Sequence, residues 1–246
     1  MTDEYHCPSC GLVGPDACGS MEDEQVCPHA PRMMDGPLEG LKRGHYRAIL
    51  ADPPWSFLTR SDKGKDRSPE NHYDCMTLDQ IKAMPVREIA GKDCALFMWV
   101  IDTHLPMALE VIEAWGFRHK TRAFSWVKLN RKYDDYDVSM QQAHEDRAWF
   151  KGMGFWTRAN PEDCLLATVG APKRRNKAVR RLLVAPVREH SRKPDEVHGR
   201  IEALVNGPYC ELFARETRPG WDQMGNEIGK FDPADLNELA GIEDLI

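Results

Sequence analysis

A chain of 246 residues is long enough to bury one sizeable core with a small appended module, and hardly long enough for a second full domain. No run of about 18 apolar residues offers a bilayer span, and no basic stretch followed by an apolar one opens the chain, so the expectation is a soluble, unsecreted, cytoplasmic protein. The net charge of −6 divides unevenly: residues 1–40 carry eight acids against Arg32 alone, residues 231–246 carry five acids and no Lys or Arg, and 41–230 is left at +6. A basic middle between acidic ends suits a polyanionic partner, although acidic ends also serve solubility.

Three units follow: a Cys-rich segment 1–40, a main domain 41–230 and an acidic tail 231–246. The first unit has no apolar periodicity and cannot build its own core. Cys7-Pro8-Ser9-Cys10-Gly11 is a knuckle-like turn that presents two thiolates to one ion, and Cys18, Cys27 and His29 are candidates for the remaining positions of a structural zinc site. The competing reading is a disordered tail with reduced cysteines. Cys75, Cys94, Cys164 and Cys210 are scattered and read as small packing residues.

Along the main domain, Tyr46 to Ala51 is a short apolar run that ends at Asp52-Pro53-Pro54, as a buried strand ends at a turn. Thr59 to Asn71, with Gly64, Pro69 and seven charged residues, reads as an exposed loop. Thr77 caps a short helix reaching Met84, and Ala95 to Val100 is a second buried strand. Leu105, Ala108, Leu109, Ile112 and Trp115 form one helical stripe that stops at Gly116. Strands are predicted over Phe124–Lys128, Asp163–Val169, Leu182–Ala185 and Tyr209–Ala214, with a helix over Pro194–Leu204. This alternation predicts an α/β fold, a Rossmann-like sheet with helices on both faces, and no Gly-x-Gly-x-x-Gly or Walker sequence is present.

The turn at Asp52 carries the chemistry. A strand ending in Asp-Pro-Pro-aromatic fixes a carboxylate and a proline carbonyl at the strand's C-terminal edge, where open α/β sheets bind ligands. Two acceptors can hold an amino group through its two N–H donors and leave its lone pair for attack. Trp55 offers an aromatic face beside them. A Pro-rich turn without chemical meaning is the plain alternative.

Ala51-Asp52-Pro53-Pro54-Trp55 resembles the signature of the MT-A70 family of S-adenosylmethionine-dependent adenine N6-methyltransferases. Further similar pieces follow in order: His72-Tyr73 with Met76, Leu96-Phe97-Met98-Trp99, Gly154-Phe155-Trp156 with Glu162, Ser191-Arg192-Lys193-Pro194-Asp195, and Glu211 to Arg215 followed by Gly220-Trp221 and Gly225-Asn226-Glu227. The resemblance implies a permuted motif order and a catalytic turn of Asp52, Pro53, Pro54 and Trp55. It implies S-adenosylmethionine contacts at Asp52, Lys193, Arg215, Asn226 and Glu227, and substrate contacts at His72, Tyr73 and Trp156. It requires no metal for methyl transfer.

Six of the nine residues from Lys173 to Arg181 are basic, and Lys173, Arg174 and Arg175 are candidate phosphate contacts. The loop from Arg131 to Phe150 contains Tyr133, Tyr136 and Trp149, which suit a flipped or single-stranded nucleotide. DNA is preferred over RNA because the compact chain resembles the prokaryotic and phage branch of the family. An RNA methyltransferase, a non-catalytic nucleic-acid-binding partner on the same scaffold, and an enzyme acting on a free nucleotide or protein amine are the alternatives.

Overall fold

Alternation along two central strands divides the molecule into two cores. The computed structural model describes residues 32–56, 75–133, 147–152, 154, 156–189 and 191–232. Strand β1 (Tyr46–Ala51) and strand β2 (Ala90–Val100) are buried along almost their whole length. Ile49, Ala51, Leu96, Met98 and Val100 face one core, and Ala48, Leu50, Ala95, Phe97 and Trp99 face the other. Near-continuous apolar runs are what a strand covered on both sides requires.

Helices α1 (Leu78–Lys82), α2 (Val86–Ile89) and α3 (Leu105–Ala114) cover the first face through Ile81, Val86, Ile89, Val111 and Ile112. Helix α4 (Glu196–Leu204) covers the second through Val197 and Ile201. Helices therefore lie on both faces, as the alternation predicts. Thr77 closes a full capping box with Gln80 at the start of α1. Gly116 stops α3 in the left-handed region, φ 75°, where glycine has no side chain to clash. The buried stripe of α3 is rotated from the predicted one: Val111 is inside and Leu109 is exposed.

The remaining strands are β3 (Arg118–Leu129), β4 (Glu162–Val169), β5 (Leu182–Pro186), β6 (Tyr209–Leu212) and β7 (Trp221–Met224). They form one seven-stranded sheet in the order β5-β3-β4-β2-β1-β6-β7. Every neighbouring pair is parallel except the two that involve β4. The sheet is mixed for that reason, and one edge collects the C-terminal ends of six strands together with the N-terminal end of β4. Asp52 follows β1 at this edge, and Glu162 opens β4 there.

Packed structure extends beyond 41–230 on both sides, because Met34 and Leu38 are buried in the first core and the Phe231 ring is buried under the Arg192 guanidinium, 5.1 Å away. Cys7, Cys10, Cys18 and Cys27 lie outside the described residues. Among the described residues no group of His, Cys, Asp and Glu could hold a metal ion, and no helix is long and apolar enough to cross a membrane.

Candidate active site

The Asp52-Pro53-Pro54-Trp55 turn is fastened by its own backbone. The Trp55 amide donates to the Pro53 carbonyl at 2.8 Å, and the Met76 amide donates to the Pro54 carbonyl at 2.9 Å. With both prolines fixed in φ, few degrees of freedom remain to move the Asp52 side chain away from the sheet edge. The Trp55 ring turns inward, only 6% exposed, and packs beside His104 at 5.8 Å. Its indole therefore braces the turn from the core side, where the sequence suggests an open aromatic face.

Beside the turn lies a chain of alternating charges. Lys193 Nζ is 2.7 Å from Asp52 Oδ2 and 3.0 Å from Glu162 Oε1. The other oxygen of Glu162 receives Lys128 Nζ at 2.7 Å. Lys193 also donates to the Ser191 carbonyl at 3.3 Å and lies over the Trp99 ring at 5.6 Å, while Lys128 lies over Trp126 at 4.8 Å. Three strand ends and the segment before α4 thus meet in one network: β1 supplies Asp52, β3 Lys128 and β4 Glu162.

Burial and charge compete in each group. Burial pushes the Glu162 carboxyl up, but the Lys193 and Lys128 ammonium groups outweigh it and bring it down to about 2. Burial alone would depress Lys193, yet Asp52 and Glu162 together hold it above the ordinary lysine range. Asp52 is pushed up by burial; Lys193 opposes the shift, and the neighbouring Glu162 charge adds to it. Asp52 rises while Glu162 falls because Glu162 has two cations and Asp52 shares one.

A cleft opens next to this network, lined by Asp52, Trp99, Lys193, Phe213, Arg215 and Glu216 among others. Phe213 and Ser191, which flank it, adopt φ 63°, a left-handed conformation rare for side-chain-bearing residues and enriched at functional sites. Arg215 Nε meets Glu227 Oε2 at 3.2 Å. Arg192 is held between Glu189 and Glu216 at 3.2 and 3.0 Å. Asn226 is exposed just past β7.

The structure thus brings Asp52, Lys193 and Arg215 around one cleft, with Glu227 attached through Arg215. Trp156 lies fully exposed with φ 65°. His72 and Tyr73 lie outside the described residues. Lys173, Arg174 and Arg175 are not brought to this edge. They follow the C-terminal end of β4, which runs against its neighbours, and Arg174 pairs with Val205 just before β6 begins. Lys128 and Glu216 are absent from the residues singled out by sequence, while Trp99 and Phe213 enter there only as members of family-like motifs, without a site role of their own. The one signal for Lys128 is position, closing an apolar strand segment.

A mixed seven-stranded sheet covered by helices, with a buried carboxylate turn, an ammonium-centred network and a cleft at the strands' C-terminal edge, defines an α/β protein of the methyltransferase-like class. Residues 46–227 match the MT-A70 family, and the chain belongs to that family. It is 29% identical over 188 residues to the putative N(6)-adenosine-methyltransferase MT-A70-like protein of Medicago truncatula, covering 75% of this chain and 27% of that protein. It is 29% identical over 201 residues to the human N(6)-adenosine-methyltransferase catalytic subunit METTL3, covering 80% of this chain and 30% of that protein. The type II methyltransferase M.MunI of Mycoplasma sp is 29% identical over 211 residues, covering 79% of this chain and 83% of that protein. The chain thus spans less than a third of the adenosine-methyltransferases and most of the type II enzyme's length.

Proposed function

We propose that this chain transfers a methyl group from S-adenosylmethionine to the N6 amine of adenine in nucleic acid, with DNA as the preferred polymer. The observation that carries the reading is the Asp52 carboxylate, fixed after β1 at the ligand-binding edge and held at 2.7 Å by Lys193. Family membership, and relatives named as N(6)-adenosine-methyltransferases, support the same chemistry. The match in length to a type II methyltransferase supports the compact branch on which the DNA preference rests.

The residues present fit the methyl donor. S-adenosylmethionine bears a carboxylate, an ammonium, a sulfonium and ribose hydroxyls, and the cleft mixes Lys193 and Arg215 with Asp52, Glu211 and Glu216. Trp99 Nε1 and His198 Nδ1, on two residues of the cleft wall, have no hydrogen-bond partner among the described residues. Glu227 and Asn226 would meet hydroxyls, and Arg215 or Lys193 the carboxylate. The donor supplies an electrophilic methyl.

Asp52 and the Pro53 carbonyl do the orienting. Lys193 engages Oδ2 of Asp52, and Oδ1 accepts one N–H of the adenine amine while the second lone pair of the Pro53 oxygen accepts the other. Both N–H groups of the amine are thereby held and its lone pair is left free to react, and the Lys193 charge opposes the upward push that burial gives the Asp52 carboxyl. On the strength of the motif resemblance, His72, Tyr73 and the exposed Trp156 are assigned to contact with the base. The permuted motif order belongs to the same proposal, with Asp52 on β1 preceding Arg215 and Glu227 in the chain.

Nucleoside mass spectrometry after incubation with unmethylated DNA and RNA of the same sequence tests this. N6-methyladenine in DNA is the expected product. Label confined to RNA overturns the DNA preference, and label in neither, with S-adenosylmethionine bound, overturns the activity.

A further inference from the structure

The basic segment separated from Asp52 by the direction of β4 is itself a built surface. Arg174 makes a β-bridge with Val205, the Arg175 amide donates to the Leu204 carbonyl at 2.8 Å, and Arg175 Nη1 donates to the Glu202 carbonyl at 3.1 Å. Further along, Arg200 of α4 donates to the Arg180 and Leu182 carbonyls at 3.0 and 2.8 Å, and the Ala178 amide donates to Asn176 Oδ1 at 2.7 Å. The segment is stapled lengthwise beside α4, with a shallow groove between Ala178–Arg180 and the Gly199–Ala203 side of the helix. Gly199 is exposed, and beyond the helix's own backbone and its chain neighbours no described atom lies within 4 Å of where its Cβ would stand, so the helix face is open there.

Charge gives the surface its meaning. Lys173, Arg174, Arg175, Lys177, Arg180 and Arg181 are all exposed, and none has a carboxylate partner among the described residues. Several other cations are matched, Lys42 with Asp222, Lys82 with Glu110, Arg122 with Asp163 and Arg188 with Asp195, but no other stretch of nine described residues gathers six that are not. The two carboxylates nearest the groove are occupied, Glu196 by Arg200 and Glu202 by the Trp221 indole. Six cations on an anchored backbone, without a carboxylate partner among the described residues, concentrate positive charge in one place and point to an external polyanion.

We infer that the segment Lys173–Arg181 and the adjoining face of α4 form a second nucleic-acid contact, a phosphate-binding surface set apart from the Asp52 cleft. β4 spans eight residues between the two edges, about 25 Å at about 3.3 Å per residue. The contact holds backbone flanking the target rather than the target base. It rests on the proposed nucleic-acid substrate for its occupant, and on the unmatched charge for its location.

Fluorescence anisotropy with a labelled duplex DNA of about two helical turns, at several salt concentrations, tests it, because each duplex phosphate contact contributes about 0.9 to the log–log salt slope. The Lys173→Ala, Arg174→Ala, Arg175→Ala, Lys177→Ala variant is expected to lower that slope by about 2 or more and to weaken binding at least about tenfold at low salt. It leaves S-adenosylmethionine binding by calorimetry unchanged, which also reports a folded protein. A single Lys173→Glu change gives a smaller shift of the same sign. Unchanged slope and affinity overturn the inference even if the wild type methylates DNA. A wild type that binds duplex through this surface but methylates nothing overturns the proposed activity and leaves the surface standing. Equal binding of poly-glutamate or anionic phospholipid vesicles, lost in the same variant, assigns the surface to another partner and overturns the nucleic-acid occupant.

Discussion

Lys128 and Lys193 divide a single carboxylate: each ammonium occupies a different oxygen of Glu162, at 2.7 and 3.0 Å. Only Lys193 goes on to touch Asp52. The carboxylate in the middle sets where Lys193 stands, and Lys193 sets where Asp52 points.

Asp52→Asn keeps the shape of the turn and removes the charge to which the proposed mechanism assigns the holding of the amine. Methyl transfer is expected to fall by about 10²–10³-fold or more, the range seen when one oriented polar group is removed from a reaction centre. Because Lys193 retains Glu162, the melting temperature changes little. Initial rates on an adenine-containing oligonucleotide, alongside a thermal melt, check both.

Lys193→Met removes the shared cation and leaves Asp52 and Glu162 to repel each other in a buried place. S-adenosylmethionine affinity, measured calorimetrically, is expected to drop at least about tenfold, since loss of one charge-assisted contact is worth about 1.5–3 kcal/mol. Unaltered affinity would remove Lys193 from the cofactor site.

Glu162 sets an acid limb of stability. Its folded pKa of about 2 lies below the ordinary 4.5, so it adds stability that is complete above about pH 4.5 and is lost as pH falls towards 2, on the order of 3 kcal/mol. Asp52 runs the other way: its raised pKa contributes stability in acid that disappears as pH rises through its folded value. In Lys128→Met the Glu162 value climbs, so the loss of stability between pH 7 and pH 3 shrinks, while stability at pH 7 falls by about 1.5–3 kcal/mol, one charge-assisted hydrogen bond, because Glu162 keeps Lys193. Urea denaturation at the two pH values measures the difference.

Trp55→Ala empties a core position and is expected to cost about 3–5 kcal/mol, whereas Trp55→Phe costs about 1 kcal/mol because the lost indole N–H has no partner among the described residues. If the phenylalanine variant folds well yet loses binding of the target base, the ring contributes to recognition as well as bracing. Melting curves and oligonucleotide affinity separate the two.

Much of this was readable in the chain. The apolar runs of β1 and β2 announce buried strands, and Thr77 as a cap announces α1. The direction of β4 was not readable, because Cys164-Leu165-Leu166-Ala167 has the same composition whichever way it points. Its reversal carries the basic segment away from Asp52 and also delivers Glu162 to it. The stripe of α3 was ambiguous for a related reason: Leu109 and Val111 both fit a helical period around Ala108 and Ile112, and only packing against the sheet selects Val111. Asp52, Lys193 and Arg215 were legible through their motifs, while Lys128 carries no mark beyond closing the predicted strand Phe124–Lys128, one residue short of the end of β3.

The reversed strand has one more consequence. Because β4 begins beside the Asp52–Lys193–Glu162 network and ends at the far rim, the loop before it and the loop after it face different neighbourhoods and share only the strand itself. Under the inference drawn above, changes in length or charge after Val169 alter how tightly a polyanion is gripped at a given ionic strength, while the spacing among Asp52, Glu162 and Lys193 stays as it is.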